Sequence, residues 1–353
     1  MQHSILLLPG DGVGPEVLRA ARRCLEAIAG AHAISLRFDE AAFGGAAIDA
    51  TGDPLPPDTL ARARAADAIL LGAVGGPKWD DAPKRPESGL LALRQGLGLF
   101  ANLRPVRLFD GLESFSPLRP ERVAGADLMI VRELTGGLYF GEKRLQSDAA
   151  FDGCAYSRTE IERIARVGFE IALRRRSRLT SVDKANVLAT SKLWRQVVDQ
   201  MSDEYPSVEV DHLYVDAAAM ALVTDPRRFD VILTENLFGD ILSDEAAVIA
   251  GSIGLLGSAS LAAGAKGPGL FEPIHGSAPD IAGHGLANPG GAIASAAMLL
   301  RDGLGEQAAG DALDDALAAA LTAGAATRDL GGPMSTDAFT QAVITQIEAR
   351  AAA

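Results

Sequence analysis

The stretch VILTENLFGDILSDEAA, residues 231–247, shows in miniature how the chain is built. Val231–Thr234 is a short, β-branched, apolar run, as expected of a strand buried on both faces. Over residues 237–250 the apolar positions recur three and four apart, which predicts a helix. A buried strand feeding straight into a helix is half of a βαβ unit. The same alternation extends in both directions. Strand-like runs fall at residues 4–8, 68–71, 102–109, 127–132, 179–183 and 209–214. Helical patterns fall at 88–95, 161–175, 191–201 and 217–222, and another begins near Pro15, a residue suited to a first helical turn. From Gly290 onward nearly everything is Ala/Leu-rich helix. Strands alternating with helices predict an α/β fold with a largely parallel sheet.

Length and composition bound the function. The 353 residues, 48% hydrophobic and 22% charged, are ordinary for a globular protein and leave room for one large α/β unit or two domains. Asp plus Glu outnumber Lys plus Arg by 46 to 33, a formal net charge of −13. Neither nucleic acid nor an anionic membrane suits so acidic a chain as partner. If the substrate is an anion, a local basic cluster must oppose the global field. Two cysteines, Cys24 and Cys154, make no CxxC and no disulfide framework. The first residues read as a strand and a turn, with no signal-peptide pattern, and no apolar run approaches the ~18 residues of a membrane helix. A cytoplasmic protein is the expectation.

Residues 141–157 fit neither helix nor buried strand, so a protruding hairpin and an ordinary loop both remain open. Arg174, Arg175, Arg176 and Arg178 are the densest basic run, expected to complement a helix C-terminus. Phosphate-loop, nucleophile-elbow, HExxH and GxGxxG patterns are absent, and His3, His32, His212, His275 and His284 show no metal-ligand spacing. Gly10-Asp11-Gly12-Val13-Gly14 implies only a tight strand-to-helix turn.

Asp240 and Asp244 lie four apart on one predicted helix face, where like charges repel unless something neutralises them. A hard divalent cation does so with oxygen ligands; a solvated helix face is the bland alternative. Asp216, between a strand and a helix, is a candidate third ligand or an N-cap. Glu87, Leu90, Leu91 and Arg94 form one helical stripe, either a pocket wall for a branched acid or an amphipathic surface. Arg104 and Arg132 lie at strand ends, where α/β proteins collect ligands.

Seven blocks in order, GDGVGPEV (10–17), ESGLLALRQGLGLFANLRP (87–105), VRELTGGLYFG (131–141), DKANVL (183–188), YVDAAAMAL (214–222), NLFGDILSDEAA (236–247) and EPIHGSAPDIAGHGLANP (272–289), resemble the β-decarboxylating isocitrate/isopropylmalate dehydrogenase family. The resemblance spans nearly the whole chain. It implies a two-domain α/β fold that is not a Rossmann fold, with a shared, largely parallel or mixed sheet around a cleft. One domain would comprise 1–99 with 252–353 and the other 100–251, residues 141–157 being an intersubunit arm.

The implied reaction is NAD-dependent oxidative decarboxylation of 3-isopropylmalate, a step of leucine biosynthesis, by a homodimer with shared active sites. Asp240, Asp244 and the neighbour's Asp216 would hold Mg²⁺ or Mn²⁺. Lys184 would be the base or base relay and Tyr139 the acid, while Arg94, Arg104 and Arg132 would grip carboxylates and Leu90 and Leu91 would line the side-chain pocket. For NAD the resemblance implies Gly76 and Glu87 near the nicotinamide. His275 would meet the adenine, Asp280 with Ile281 the ribose, and Gly276, Ser277, Ala278, Pro279 and Asn288 would complete the pocket. Residues 262–268 look longer than the family's usual turn. Relatives acting on D-malate, tartrate, isocitrate or homoisocitrate, and a catalytically silent regulatory subunit, are the competing expectations.

Overall fold

The computed structural model describes residues 2–262 and 267–351, so most of the long turn, residues 263–266, lies outside the described residues. In chain order the first stretch holds β1 (Gln2–Gly10), α1 (Gly14–Ala31), β2 (Ser35–Glu40), α2 (Gly44–Thr51), α3 (Pro57–Ala65), β3 (Ala68–Ala73) and α4 (Pro86–Leu97). The middle holds β4 (Ala101–Arg107), α5 (Pro120–Val123), β5 (Asp127–Glu133), β6 (Lys143–Leu145), β7 (Ala150–Asp152), α6 (Arg158–Arg174), β8 (Arg178–Asp183), α7 (Ala189–Ser202), β9 (Glu209–Tyr214), α8 (Val215–Thr224), β10 (Val231–Thr234) and α9 (Asn236–Ile249). The last stretch holds β11 (Gly257–Leu261), β12 (Gly269–Pro273), α10 (Gly290–Met298), α11 (Gln307–Thr322) and α12 (Thr336–Ala351). The chain forms two compact units: residues 1–99, 109–111 and 252–353, and residues 100–108 with 112–251.

In the first unit the strand order is β2-β1-β3-β12-β11, with β1, β2, β3 and β12 parallel and β11 antiparallel to β12. β1 turns Leu6 and Leu8 to a core shared with Phe43, Ile69, Leu71, Leu93 and Leu270. Every residue of β3 is buried, as the uninterrupted run Ala-Ile-Leu-Leu requires. Helix α1 buries Val17, Leu18, Ala21, Cys24, Leu25 and Ile28, three and four apart, and packs on α10 and α12. β2, β11 and β12 carry no long apolar run, and residue pattern alone does not reveal them.

In the second unit the order is β4-β5-β10-β8-β9, with β4 antiparallel to β5 and the rest parallel. Both units are therefore α/β with mixed sheets, as expected. Helix α6 starts at a Ser157–Glu160 capping box and buries Ile161, Ile164 and Phe169. Gly168 lets it sit close to Leu179 and Leu233. Residues 143–152 form the hairpin β6–β7, with Leu145 and Phe151 exposed.

Arg174 of the arginine run lies in the last turn of α6, as expected, and its neighbours also tie that end to two strands. Arg175 Nε and the Arg176 amide each donate to the buried Asp230 carboxylate at 2.8 Å, and Arg175 Nη2 donates to Asp127 at 2.9 Å. These bonds fix the end of α6 to the starts of β5 and β10. Removing one partner of a buried ion pair strands the other. Asp230→Ala should therefore lower the stability of the second unit by roughly 3 kcal/mol, read from urea unfolding, with Asp230→Asn milder. An unchanged midpoint would remove Asp230 from that role.

Candidate active site

In the second unit the chemistry-bearing residues follow the carboxyl ends of the parallel strands, the end at which open α/β sheets bind ligands. Arg132 lies near the end of β5, Lys184 follows β8, Asp216 follows β9, and α9 with Asp240 and Asp244 follows β10. Arg104 projects from β4, whose Asn102 pairs with Arg132 in register.

The guanidinium of Arg132 is buried, 4% exposed, and organises the centre. Its Nε donates to the Asn236 carbonyl at 2.9 Å, its Nη2 to Asn236 Oδ1 at 2.8 Å and its Nη1 to Asp240 Oδ1 at 2.5 Å. Gly239 is a glycine because any Cβ there would run into the Arg132 side chain. Tyr139 donates its hydroxyl to the other Asp240 oxygen at 2.7 Å, and its ring lies against the guanidinium. One turn along α9, Arg104 Nη1 donates to Ser243 Oγ at 2.6 Å and Asp244 Oδ1 at 3.0 Å. Each of the paired aspartates thus has its own arginine.

Lys184 and Asp216 form a separate ion pair. That pair holds the Asp216 carboxyl below the usual range. Asp216 lies in the first turn of α8 and is not its cap, a position that Tyr214 takes. Among the described residues no bond joins this pair to Tyr139, Asp240 or Asp244, and no three acidic, His or Cys side chains are grouped closely enough for a metal. The pair Asp240 and Asp244 nonetheless fits a divalent cation. Both are hard oxygen donors on one helix face, and such ions are held by one or two carboxylates with water and substrate.

In the first unit α4 buries Pro86, Gly89 and Leu93, which leaves the stripe Glu87, Leu90, Leu91 and Arg94 off the buried face. Leu90 is half-buried, Leu91 is exposed, and Arg94 Nη2 donates to Glu272 at 2.8 Å. Sequence spacing gave no hint of Glu272, which lies 178 residues away. Asp11 is the other residue that pattern missed. Its buried carboxylate accepts the amides of Gly45, Ala46 and Gly75 at 2.8, 2.8 and 2.9 Å. Gly75 and Gly76 have φ of +100° and +149°, conformations that favour glycine, so Asp11 secures a loop that its own glycines leave free to move.

The segment after β12 carries the residues expected to meet a nucleotide, some buried and some exposed. His275 Nδ1 contacts the Gly276 carbonyl at 2.8 Å, while its buried Nε2 has no partner among the described residues. Burial pushes the His275 pKa down, so the ring is neutral; with its one proton on Nδ1, which donates to the carbonyl, Nε2 is an acceptor. Gly276, Pro279 and Asp280 are exposed; Ala278 and Ile281 are half-buried, and Ser277 is buried. Asp280 makes no side-chain bond among the described residues, so it does not cap the turn. Asn288 is already committed, its Nδ2 donating to Asp329 at 2.9 Å and its Oδ1 accepting from Gly290.

An α/β scaffold that gathers carboxylates, arginines and a phenol at the carboxyl ends of its strands suits an enzyme acting on a small anionic substrate. A family model described as isocitrate/isopropylmalate dehydrogenase matches residues 4–346. A 3-isopropylmalate dehydrogenase from Listeria innocua is 55% identical over 99% of both chains. One from Synechococcus sp. is 57% identical over 93% of this chain and 94% of its own. Among solved structures, isocitrate dehydrogenase from Methylococcus capsulatus has a TM-score of 0.87 at 37% identity, covering 98% of this chain and 99% of its own. A β-decarboxylating dehydrogenase from Thermococcus kodakarensis has a TM-score of 0.82 at 40% identity, covering 98% and 96%. The chain belongs to the isocitrate/isopropylmalate dehydrogenase family and is an oxidoreductase of the β-decarboxylating kind.

Burial, and then the bond to Asp240, push the Tyr139 phenol up to about 12. Folded and unfolded chains both keep this proton below pH 10; above it the unfolded phenol ionises first, so the stabilisation fades as pH rises through 12. In metal-free protein, the phenolate absorbance lost in Tyr139→Phe should have its midpoint near pH 12, and Asp240→Asn should lower that midpoint. A midpoint near 10 would mean that burial and Asp240 do not act on the phenol.

Proposed function

We propose that the enzyme oxidises and decarboxylates 3-isopropylmalate with NAD, giving 4-methyl-2-oxopentanoate for leucine biosynthesis. The observation that carries this choice over isocitrate is the stripe of α4, where the half-buried Leu90 and the exposed Leu91 stand between Glu87 and Arg94. An isopropyl group gains by leaving water there, whereas a third carboxylate would lose its hydration against two leucines. The 55% identity to a protein named for that substrate points the same way.

Mg²⁺ or Mn²⁺ held by Asp240 and Asp244 would supply electrophilic polarisation of the substrate's oxygens, and NAD would supply the hydride acceptor. Arg94, Arg104 and Arg132 bind the substrate's carboxylates, exchanging their present carboxylate partners for those of the ligand. Lys184 is the base or base relay: once it has passed on the proton it holds in its ion pair with Asp216, it takes the proton of the C2 hydroxyl as hydride leaves C2. Loss of CO₂ from the β-carboxylate leaves its bonding pair in an enolate. Tyr139, still protonated at neutral pH, returns a proton to C3.

Lys184 and Asp216 reach this chemistry from a second copy of the chain. That no bond among the described residues joins this pair to Tyr139 or Asp240 supports that reading, as do the exposed apolar side chains Met220 and Val223 on α8 and Ile241 and Val248 on α9. The exposed Asp280 supports NAD over NADP, because its charge would repel a 2′-phosphate while accepting bonds from ribose hydroxyls.

Burying three carbons contributes about 2 kcal/mol, so malate should react roughly thirty-fold less efficiently than 3-isopropylmalate. Measured as NADH formation, Leu90→Ala should narrow that gap; equal kcat/KM for both substrates in the unaltered enzyme would contradict the assignment. Excess chelator should abolish turnover, and Tyr139→Phe should slow the steps after oxidation by ~10²–10⁴. Full activity in chelator would remove the metal from the scheme.

A further inference from the structure

The glycine turn Gly10–Gly14 and the start of α1 contribute no group to the chemistry above, yet they are bonded to the segment read as the nucleotide site. The Val13 amide donates to the Ser277 carbonyl at 2.8 Å, and Gly12 lies so close to that carbonyl that no Cβ would fit. One turn further on, both carboxylate oxygens of Glu16 are used. One accepts the Gly283 amide and the other accepts the Gly285 amide at 3.0 Å. Gly283 and Gly285 have φ of +79° and +64°, and a Cβ at either would meet nothing within 4 Å. Glycine is there for its backbone conformation and not for lack of space.

We propose that Glu16 is a positioning residue for the dinucleotide: its carboxylate fixes residues 283–285 so that the segment from His275 to Asn288 is already shaped before NAD arrives. This rests on the reading of that segment as the NAD site. Glycine-rich turns lose the most backbone freedom on ordering. A ligand that must order such a turn binds more weakly by that cost, and a protein that orders it beforehand removes the cost from binding. The loop is anchored on its far side as well, where the Thr336 amide donates to the Gly285 carbonyl at 2.9 Å and the Thr336 hydroxyl to the Ala287 carbonyl at 2.6 Å. Glu16 supplies the near anchor. An acidic residue in a first helical turn is ordinarily explained by the helix dipole; here its two oxygens each hold a separate amide of a different segment.

The test measures NAD affinity by titration calorimetry, and kcat and KM for both substrates, in the full-length enzyme and in Glu16→Ala and Glu16→Gln. With two charge-assisted bonds gone, Glu16→Ala should raise both the Kd and the KM for NAD roughly tenfold, with kcat and the organic substrate's KM unchanged. Glu16→Gln keeps one acceptor oxygen and should fall between the two. Unchanged NAD affinity in Glu16→Ala, or a kcat that falls in step with it, overturns the proposal. No NAD binding by the unaltered enzyme would instead overturn the nucleotide reading beneath it. Should Glu16→Ala fail to fold, hydrogen exchange in the unaltered protein decides: the Gly283 and Gly285 amides should be protected, and rapid exchange at both overturns the clamp.

Discussion

Asp240 and Asp244 repel one another across one turn of α9, and the second unit is organised around their neutralisation. Arg132 and Arg104 each face one of them, at 2.5 and 3.0 Å. Arg132 meets this demand while buried, which is costly unless its donors are satisfied. Asn236 satisfies several of them through its carbonyl and side chain, because it starts the same helix that carries the aspartates. Gly239 follows from the same contact, and so does the seat of Tyr139 on Asp240. We propose that this site exchanges ions, a divalent cation taking over the carboxylates while the arginines turn to an anionic substrate.

The first unit applies the same economy to backbone. Its glycine-rich loops take left-handed conformations at Gly75, Gly76, Gly283 and Gly285, and such loops would wander if nothing held them. Asp11 and Glu16, five residues apart on the β1–α1 turn, each spend a carboxylate on main-chain amides of those loops. The chain's acidity is thus partly structural, since carboxylates accept hydrogen bonds where no side-chain donor is needed. Arg94, Arg104 and Arg132 each face a carboxylate, so against a net charge of −13 they offer an anionic substrate a positive field only once those carboxylates take another partner.

Much of the fold was legible because buried parallel strands and amphipathic helices have different periods. β9 and β10 lie where their patterns place them, and α4, α6, α7 and α9 differ only at their ends. β2, β11 and β12 were missed, being short and without an uninterrupted apolar run of their own. In the site, residues four apart on a helix were readable as neighbours, hence Asp240 with Asp244 and the stripe on α4. Partners far apart in sequence were not: Glu272 for Arg94, Asp230 for Arg175, Asn236 for Arg132. Asp216 could be placed near a helix start, but its pairing with Lys184 depends on the register of β8 with β9. The purpose of the 10–17 block was illegible for the same reason, since its contacts lie some 270 residues downstream, as in the bond from Gly285 to Glu16 with its separation of 269.

On this reading the carboxylate pair on α9 is held by arginines in readiness for a metal and an anionic substrate. Anomalous diffraction from crystals grown with Mn²⁺ and 3-isopropylmalate tests it most directly. The predicted result is one manganese peak within bonding distance of oxygens of both Asp240 and Asp244, with Arg104 and Arg132 turned onto the substrate's carboxylates. A peak elsewhere, or substrate bound with both aspartates still paired to their arginines and no metal between them, would contradict it.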